Sequence, residues 1–302
     1  MPADRGHVIG SVCAGTGAAA YGITIVIGRD LASHGFDSAT VLGIRFGFGG
    51  LILVAALVAA RRPLLPVAGE RVAALLLGVI GYATESTFFY LGLAHGSAAA
   101  VALLFYLYPA VVTLLEIALT RTRPSPATIG ALVLSATGTA LVAASGSRVE
   151  ISAAGVGFTV TSAVAFSIYL LTGERLMRRT DALTTGAWVA VGASASLLTR
   201  AALLHGIHVR PGHWPELIAY GAATAAAFTL MFAALRRIGS SRTAVVMTLE
   251  AVFAIVLAAI FLHERISAAQ AVGGVAILAA AVIIGLTPPA RRLATEVMVE
   301  RP

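Results

Sequence analysis

Three ionisable side chains stand inside long apolar runs: Arg45, Glu85 and Glu250. An ionised group at bilayer depth costs at least about 2.5–3.5 kcal/mol on insertion scales, so each needs a partner or a wet cavity. Glu250 falls about twelve residues from the outer end of its run, roughly 18 Å along a helix and near a bilayer midplane. A carboxylate there can hold a substrate ammonium or take up a coupling proton. Protonated, it can also simply hydrogen-bond a neighbouring helix. Glu85 and Arg45 fall about nine and six residues from the same side, roughly 13 and 9 Å deep. Those depths permit a buried salt bridge, and equally a gate or a clamp on a substrate carboxylate. Together the three groups suit a zwitterion.

Aromatic residues with polar tips can line a cavity between helices, and Tyr21, Tyr90, Tyr106, Tyr108, Tyr169 and Trp188 are candidates, with Thr248 as a hydroxyl close to Glu250. Such residues also serve as interfacial anchors or packing. Tyr106 and Tyr108 point some 200° apart on a helix, so at most one faces a cavity squarely. Pro109 removes a backbone hydrogen bond and disturbs the carbonyl of Phe105, giving a bend that can act as a hinge or as fixed shape. Glu116, close to Arg121 and Arg123, reads as structural. His205, His208 and His213 cluster in one loop, but apart from Glu216 no acidic or cysteine ligand is near, and no metal is expected. The chain carries no His-Glu-x-x-His, no Gly-x-Ser-x-Gly and no phosphate-cradling Gly-Lys loop, so neither an enzyme nor a cofactor is expected. Any transport must then run on a gradient.

The elements that position these groups follow from composition. The 302 residues are 58% hydrophobic and only 12% charged, with a mean hydropathy of +0.91, against about 25% charged residues in soluble proteins. A helical span takes roughly 20 apolar residues. Ten such runs lie near 8–28, 39–60, 72–94, 97–119, 127–145, 152–173, 182–204, 214–235, 241–262 and 268–286. They are too long, and lack the two-residue alternation, for a membrane barrel. The fold class is an all-α polytopic membrane protein with ten transmembrane helices. The first run follows Arg5 and resembles a signal peptide, but continues apolar through Val26 with no polar cleavage region, and is read as a span. The lone Cys13 reads as packing. Gly43, Gly47 and Gly50 should bring the second span close to a neighbour.

The pattern also repeats. Phe232 to Ile284 follows Phe89 to Leu141 in outline, so that Leu107-Tyr-Pro-Ala110 falls on Leu249-Glu-Ala-Val252 and Gly130 on Gly273. Duplicated bundles are a mark of secondary transporters. The expected organisation is a five-helix repeat over 8–145, a second over 152–286, and a tail over 287–302. All 21 basic residues are arginines. With the N-terminus inside, about fifteen of them fall on the inner side and about five outside, the latter being Arg29, Arg148, Arg200, Arg210 and Arg265. The basic charge therefore reads as topology and not as a nucleic-acid site. An odd number of spans in each half makes the second repeat inverted.

Several marks coincide in order and spacing: Tyr21-Gly22, Gly43-Ile-Arg-Phe46, Tyr106-Leu-Tyr-Pro109, Leu249-Glu-Ala-Val252, His263-Glu-Arg-Ile-Ser267 and Gln270-Ala-Val-Gly273. The chain resembles the EamA family of the drug/metabolite transporter superfamily over essentially its whole length. The resemblance implies two inverted five-helix repeats around a cavity open alternately to either side, and the export of amino acids or other small metabolites. The family pattern commonly has proline after the glutamate of the ninth span, where this chain has Ala251, so paired kinks in spans four and nine are in doubt.

The expected function is secondary-active export of a small organic metabolite such as an amino acid, with possible proton coupling. A passive small-solute channel or facilitator is the alternative. The expected location is the cell membrane with both termini cytoplasmic. Reporters fused at Met1 and Pro302, and one placed in the loop of Arg178 and Arg179, should all report the cytoplasm; a C-terminal reporter on the outer side would remove the ten-span topology.

Overall fold

The structure, a computed structural model, describes residues 2–96, 98–121, 124–144, 150–176, 179–204, 206, 207, 209, 212–261 and 266–287. Arg123, Arg148, Arg178, His205, His208, Arg210, the segment His263-Glu-Arg265 and all of the expected tail beyond Thr287 lie outside the described residues.

The described residues form ten helical rods. In chain order the helices are α1 (Pro2–Ser33), α2 (Ser38–Ala59), α3 (Arg71–Leu76), α4 (Ala83–Ala94), α5 (Ala98–Phe105), α6 (Tyr108–Thr120), α7 (Pro126–Ala144), α8 (Ala153–Leu176), α9 (Ala182–Leu204), α10 (Trp214–Ile238), α11 (Ser240–Met247), α12 (Leu249–Phe261) and α13 (Ala268–Leu286). A π-helical turn, Leu77–Tyr82, joins α3 to α4 into one rod. The pairs α5/α6 and α11/α12 are each one rod with a break in it. Eight rods are long and apolar enough to cross a membrane, while Pro126–Val142 and Ala268–Ile284 are shorter apolar helices. Helices are what such a composition must form, because hydrocarbon offers no partner to an open backbone group.

Local chemistry sets the rod ends. Asp37 caps α2 by accepting from the Thr40 amide at 2.9 Å. At the head of α13, the Gln270 amide donates to Ser267 Oγ while the Ser267 amide donates to Gln270 Oε1, a reciprocal capping box. Gly239, at φ +78, makes the tight corner between α10 and α11 that a side chain would resist.

The pairing of rods has a two-fold pattern. In the first half α1 packs on α10 and on α11/α12; in the second, its counterpart α8 packs on α4 and on α5/α6. The rods α2 and α9 pair across the axis, as do α7 and α13. Gly43, Gly47 and Gly50 all face α9, where an added Cβ would lie 2.7 Å from Leu198, 3.1 Å from Ser194 Oγ and 3.1 Å from Val191. They are packing residues, as their spacing suggests.

Paired breaks do occur in the fourth and ninth rods, despite Ala251 where proline is usual. In the fourth, Pro109 has no amide to offer, and the chain turns at Tyr106 and Leu107 through a Leu107 to Leu104 bond of 3.2 Å. In the ninth, the Thr248 hydroxyl donates to the Val245 carbonyl at 2.6 Å, and the Thr248 amide to the same carbonyl at 3.3 Å. A threonine bonding back to its own helix thus does locally what proline does in the other half.

The α7–α13 crossing is a close one, made glycine to glycine. A Cβ at Gly138 would sit 2.6 Å from the Gly273 carbonyl, and one at Gly273 2.5 Å from that of Gly138, whereas Gly130 faces open space. Gly138→Val should destabilise the purified protein by roughly 1–3 kcal/mol, as overpacking does. Gly130→Val should leave its thermal midpoint nearly unchanged. Equal midpoints for the two variants would contradict this crossing.

Candidate functional site

Arg45 projects from the middle of α2 and is 6% exposed. It reaches α10 because those two helices approach closely at Gly221, where a Cβ would lie 2.3 Å from that of Phe48. Its Nε donates to Thr224 Oγ1 at 2.7 Å and its Nη1 to the Tyr220 hydroxyl at 3.2 Å. Thr224 donates in turn to the carbonyl of Tyr220 at 2.8 Å, so its oxygen is free to accept from the guanidinium. The guanidinium carbon also stands 4.7 Å from the Tyr220 ring centroid and 4.9 Å from that of Phe46, a cation–π arrangement worth about 2 kcal/mol or more when desolvated. Nη2 is buried with no partner among the described residues.

The Arg45–Glu85 salt bridge that their depths permit is not formed. Glu85, also 6% exposed, lies on α4. Its Oε2 accepts from the Ser86 hydroxyl at 3.0 Å, and its backbone carbonyl accepts from Ser162 of α8 at 3.0 Å. Similar depth did not ensure contact, and the guanidinium turns instead to hydroxyls of α10. Arg45 still acts on Glu85 through space.

Glu250 stands in the first turn of α12, just beyond the break at Thr248. A carboxylate at a helix N-terminus is favoured by the freed amides and the dipole. It is partly exposed and no hydrogen bond to it is formed among the described residues. Arg45 and Glu85 both lie close enough to act on it electrostatically, and it acts in turn on Tyr21, Tyr82, Tyr106 and Tyr108.

A chain of rings spans the space between Arg45 and the fourth rod. Phe46 meets Tyr82 at 4.7 Å, Tyr82 meets Tyr169 at 5.6 Å, Tyr169 stacks on Phe166 at 5.8 Å, and Phe166 meets Tyr108 at 4.9 Å. Tyr169 has a buried hydroxyl with no partner among the described residues. Tyr108 is 1% exposed and donates to the Ala244 carbonyl at 3.2 Å, so its hydroxyl is committed to α11. Tyr106, partly exposed, lies 6.3 Å from Tyr108 between ring centroids. Tyr21 donates to the Met231 sulfur at 3.7 Å. Tyr90 is more exposed and still within electrostatic reach of Arg45 and Glu85. Thr248 is buried, accepting from Ser135 at 2.9 Å, and Pro109 is buried at the head of α6.

Trp188 stands apart. Its indole donates to the Leu64 carbonyl at 2.9 Å and fastens the loop after α2. Glu116 is within electrostatic reach of Glu174 and Arg242. His213 packs against His34 at 5.0 Å and Phe36 at 5.2 Å, and no group of three possible metal ligands occurs among the described residues. Reading the sequence missed Tyr82, Tyr220 and Thr224. The register of the repeat links two of them, since at its shift of about 142 residues Tyr82 falls on Thr224.

Four other helices are tied together around α11, all of whose residues are buried. Ser241 hydrogen-bonds Thr113 at 2.7 Å, the Ser240 amide donates to Glu174 Oε2 at 2.9 Å, and Arg242 donates to the Thr287 carbonyl at 2.5 Å while standing 3.4 Å from His7. These contacts join α11 to α6, α8, α13 and α1.

A helical membrane bundle of two related halves, with buried charges between them, is the class defined by this fold. The chain belongs to the EamA-like transporter family, which matches residues 8–144 and 153–286. No curated protein matches it. A solved crystal structure of a protein is similar over 90% of this chain and 95% of its own, with a TM-score of 0.78 at 20% identity, a likeness of fold.

Removing the hydroxyls that serve Arg45 should leave a buried cation short of acceptors. Thr224→Val should cost roughly 1–3 kcal/mol. In double-mutant cycles Arg45→Met should couple to Thr224→Val by about 0.5–3 kcal/mol and less to Glu85→Gln. The reverse order, measured by thermal unfolding, would restore the Arg45–Glu85 pair.

Proposed function

We propose that this protein is a secondary-active exporter of a small organic metabolite, such as an amino acid, working by alternating access. In this reading all ten rods span the bilayer, α7 and α13 included, as two inverted repeats over 8–145 and 152–286 with 287–302 as a tail. The excess of arginine in alternate loops supports a cell-membrane location with both termini cytoplasmic. The family supplies the transporter class and the small-solute partner.

The observation that carries the proposal is Glu250, a partly exposed carboxylate in the first turn of a broken helix, with no hydrogen bond formed to it among the described residues. A carboxylate kept only for structure at bilayer depth normally has a partner. One left unbonded among Arg45, Glu85 and four tyrosines can bind a substrate cation or carry a proton. Arg45 Nη2 and the Tyr169 hydroxyl are two buried groups without partners among the described residues, which suits a solute bearing both charges. The ties around α11 fit a carrier better than an open pore, since moving that half-rod would release four other helices.

Reconstituted into proteoliposomes and given a panel of labelled metabolites, the protein should show counterflow, with saturation and trans-stimulation. Non-saturable flux would select the passive facilitator instead. Glu250→Gln should remain folded and lose transport or its pH dependence, because the amide keeps the shape and removes the titratable charge. Wild-type flux and pH profile in that variant would move the substrate site toward Arg45 and Glu85.

A further inference from the structure

A cavity away from Glu250 opens at the arginine-rich end of the bundle. It has a volume of about 650 Å³ and lies where the ends of α2, α9 and α10 meet, within the usual range of ligand pockets. Its walls include Arg62, Arg236, Arg237, Asp181, Ala56 and Ala233. Arg62 is delivered by the end of α2. Arg61 takes the left-handed conformation at φ 51, and the Arg62 amide turns back to the Leu57 carbonyl at 2.9 Å, the closing bond of a Schellman motif. A non-glycine residue there costs roughly 1–2 kcal/mol. Arg236 and Arg237 come from the last turn of α10.

The single carboxylate of the cavity is already committed. Asp181 caps α9, accepting from the Leu183 amide at 2.9 Å, the Thr184 amide at 3.1 Å and the Thr184 hydroxyl at 2.8 Å. Arg237 donates one N–H to its own helix at the Ala233 carbonyl, 2.9 Å away. Arg62 and Arg236 form no ion pair among the described residues. The wall is also held in place: the single Thr184 hydroxyl hydrogen is shared between Asp181 and the Pro63 carbonyl at 3.0 Å, beside the Trp188 bond to Leu64. A positive cavity with a fixed wall is a site for an anion.

Its shape points to the source of that anion. From Arg237 the cavity runs back along α10 to Thr229, about two turns or roughly 12 Å toward the apolar interior. On α2 it runs from Arg62 to Ala56, along a helix end whose Val58 is 58% exposed, as a lipid-facing residue is. A basic mouth above small apolar walls matches a phosphate head with an acyl chain below it, and basic pockets between membrane helices recognise such heads. We infer that this cavity binds the phosphate of an anionic glycerophospholipid, with Arg62 and Arg236 as its principal ligands and Arg237 as a supporting one. The site is separate from the transport reading and does not depend on it.

Native mass spectrometry of the purified protein, with phosphatidylglycerol, phosphatidylcholine or glycerol 3-phosphate added, tests the inference. Phosphatidylglycerol should bind roughly five-fold or more tighter than phosphatidylcholine, as expected when two or three arginines meet an anionic head. The preference should vanish in Arg62→Gln/Arg236→Gln and persist in Arg175→Gln, which alters an exposed arginine outside the cavity. If the double variant fails to fold, the wild-type preference, measured in nanodiscs, should still collapse as salt rises from about 0.05 to about 0.5 M. Equal binding of the two lipids, or an unchanged preference in the folded double variant, would overturn the site. Glycerol 3-phosphate binding as tightly as phosphatidylglycerol would overturn the lipid and leave a soluble phosphate as the ligand.

Discussion

A helix interrupted inside hydrocarbon frees carbonyls and amides that no water can meet, and two rods of this bundle are interrupted. Much of the interior is arranged around those breaks. At the first, Thr113 donates to the Pro109 carbonyl at 2.8 Å, and the Ser167 hydroxyl of α8 shares its hydrogen between its own Ala163 carbonyl at 2.7 Å and that of Tyr108 at 3.2 Å. At the second, Thr248 donates to Val245 while receiving from Ser135 of α7. Thr113 and Thr248 each give a hydrogen to backbone and offer an oxygen to a serine of another helix, so small polar residues join the rods. The breaks in turn place Glu250 in a first helical turn and Tyr106 and Tyr108 on either side of a bend.

The buried cation is managed by the same economy. Two hydroxyls and two ring faces surround Arg45, with no carboxylate in contact. Had Glu85 or Glu250 been spent on a direct ion pair, a charge-neutral but fixed interior would have resulted. Here the positive charge is solvated by dipoles, and the carboxylates remain under its field without being bound to it. This leaves polar groups available in the middle of the bundle, which is what a solute pathway needs. The ties around α11 then concern a different property, the joining of rods, and draw on residues from four other helices.

The sequence by itself determined that this chain is an all-helical membrane protein, because the run lengths and scarcity of charge allow little else. It determined the two-part organisation through the recurrence of loops and breaks, and it singled out Arg45, Glu85 and Glu250 because a charge in an apolar run is conspicuous without any structure. The tertiary structure decided who meets whom. Depth along a helix says nothing of rotation about its axis or of which neighbour lies alongside, so Arg45 and Glu85 looked like partners until Tyr220 and Thr224 of α10 proved nearer. Trp188 looked like a cavity residue until its indole was found on a loop carbonyl. The break in the ninth rod, too, shows only in the fold, where the Thr248 amide and hydroxyl both turn back three residues to the Val245 carbonyl, whereas Thr139 and Thr159 bond four residues back within unbroken helices. Composition and periodicity are properties of one chain segment at a time; partners, orphan hydroxyls and cavities exist only once segments distant in sequence are packed together.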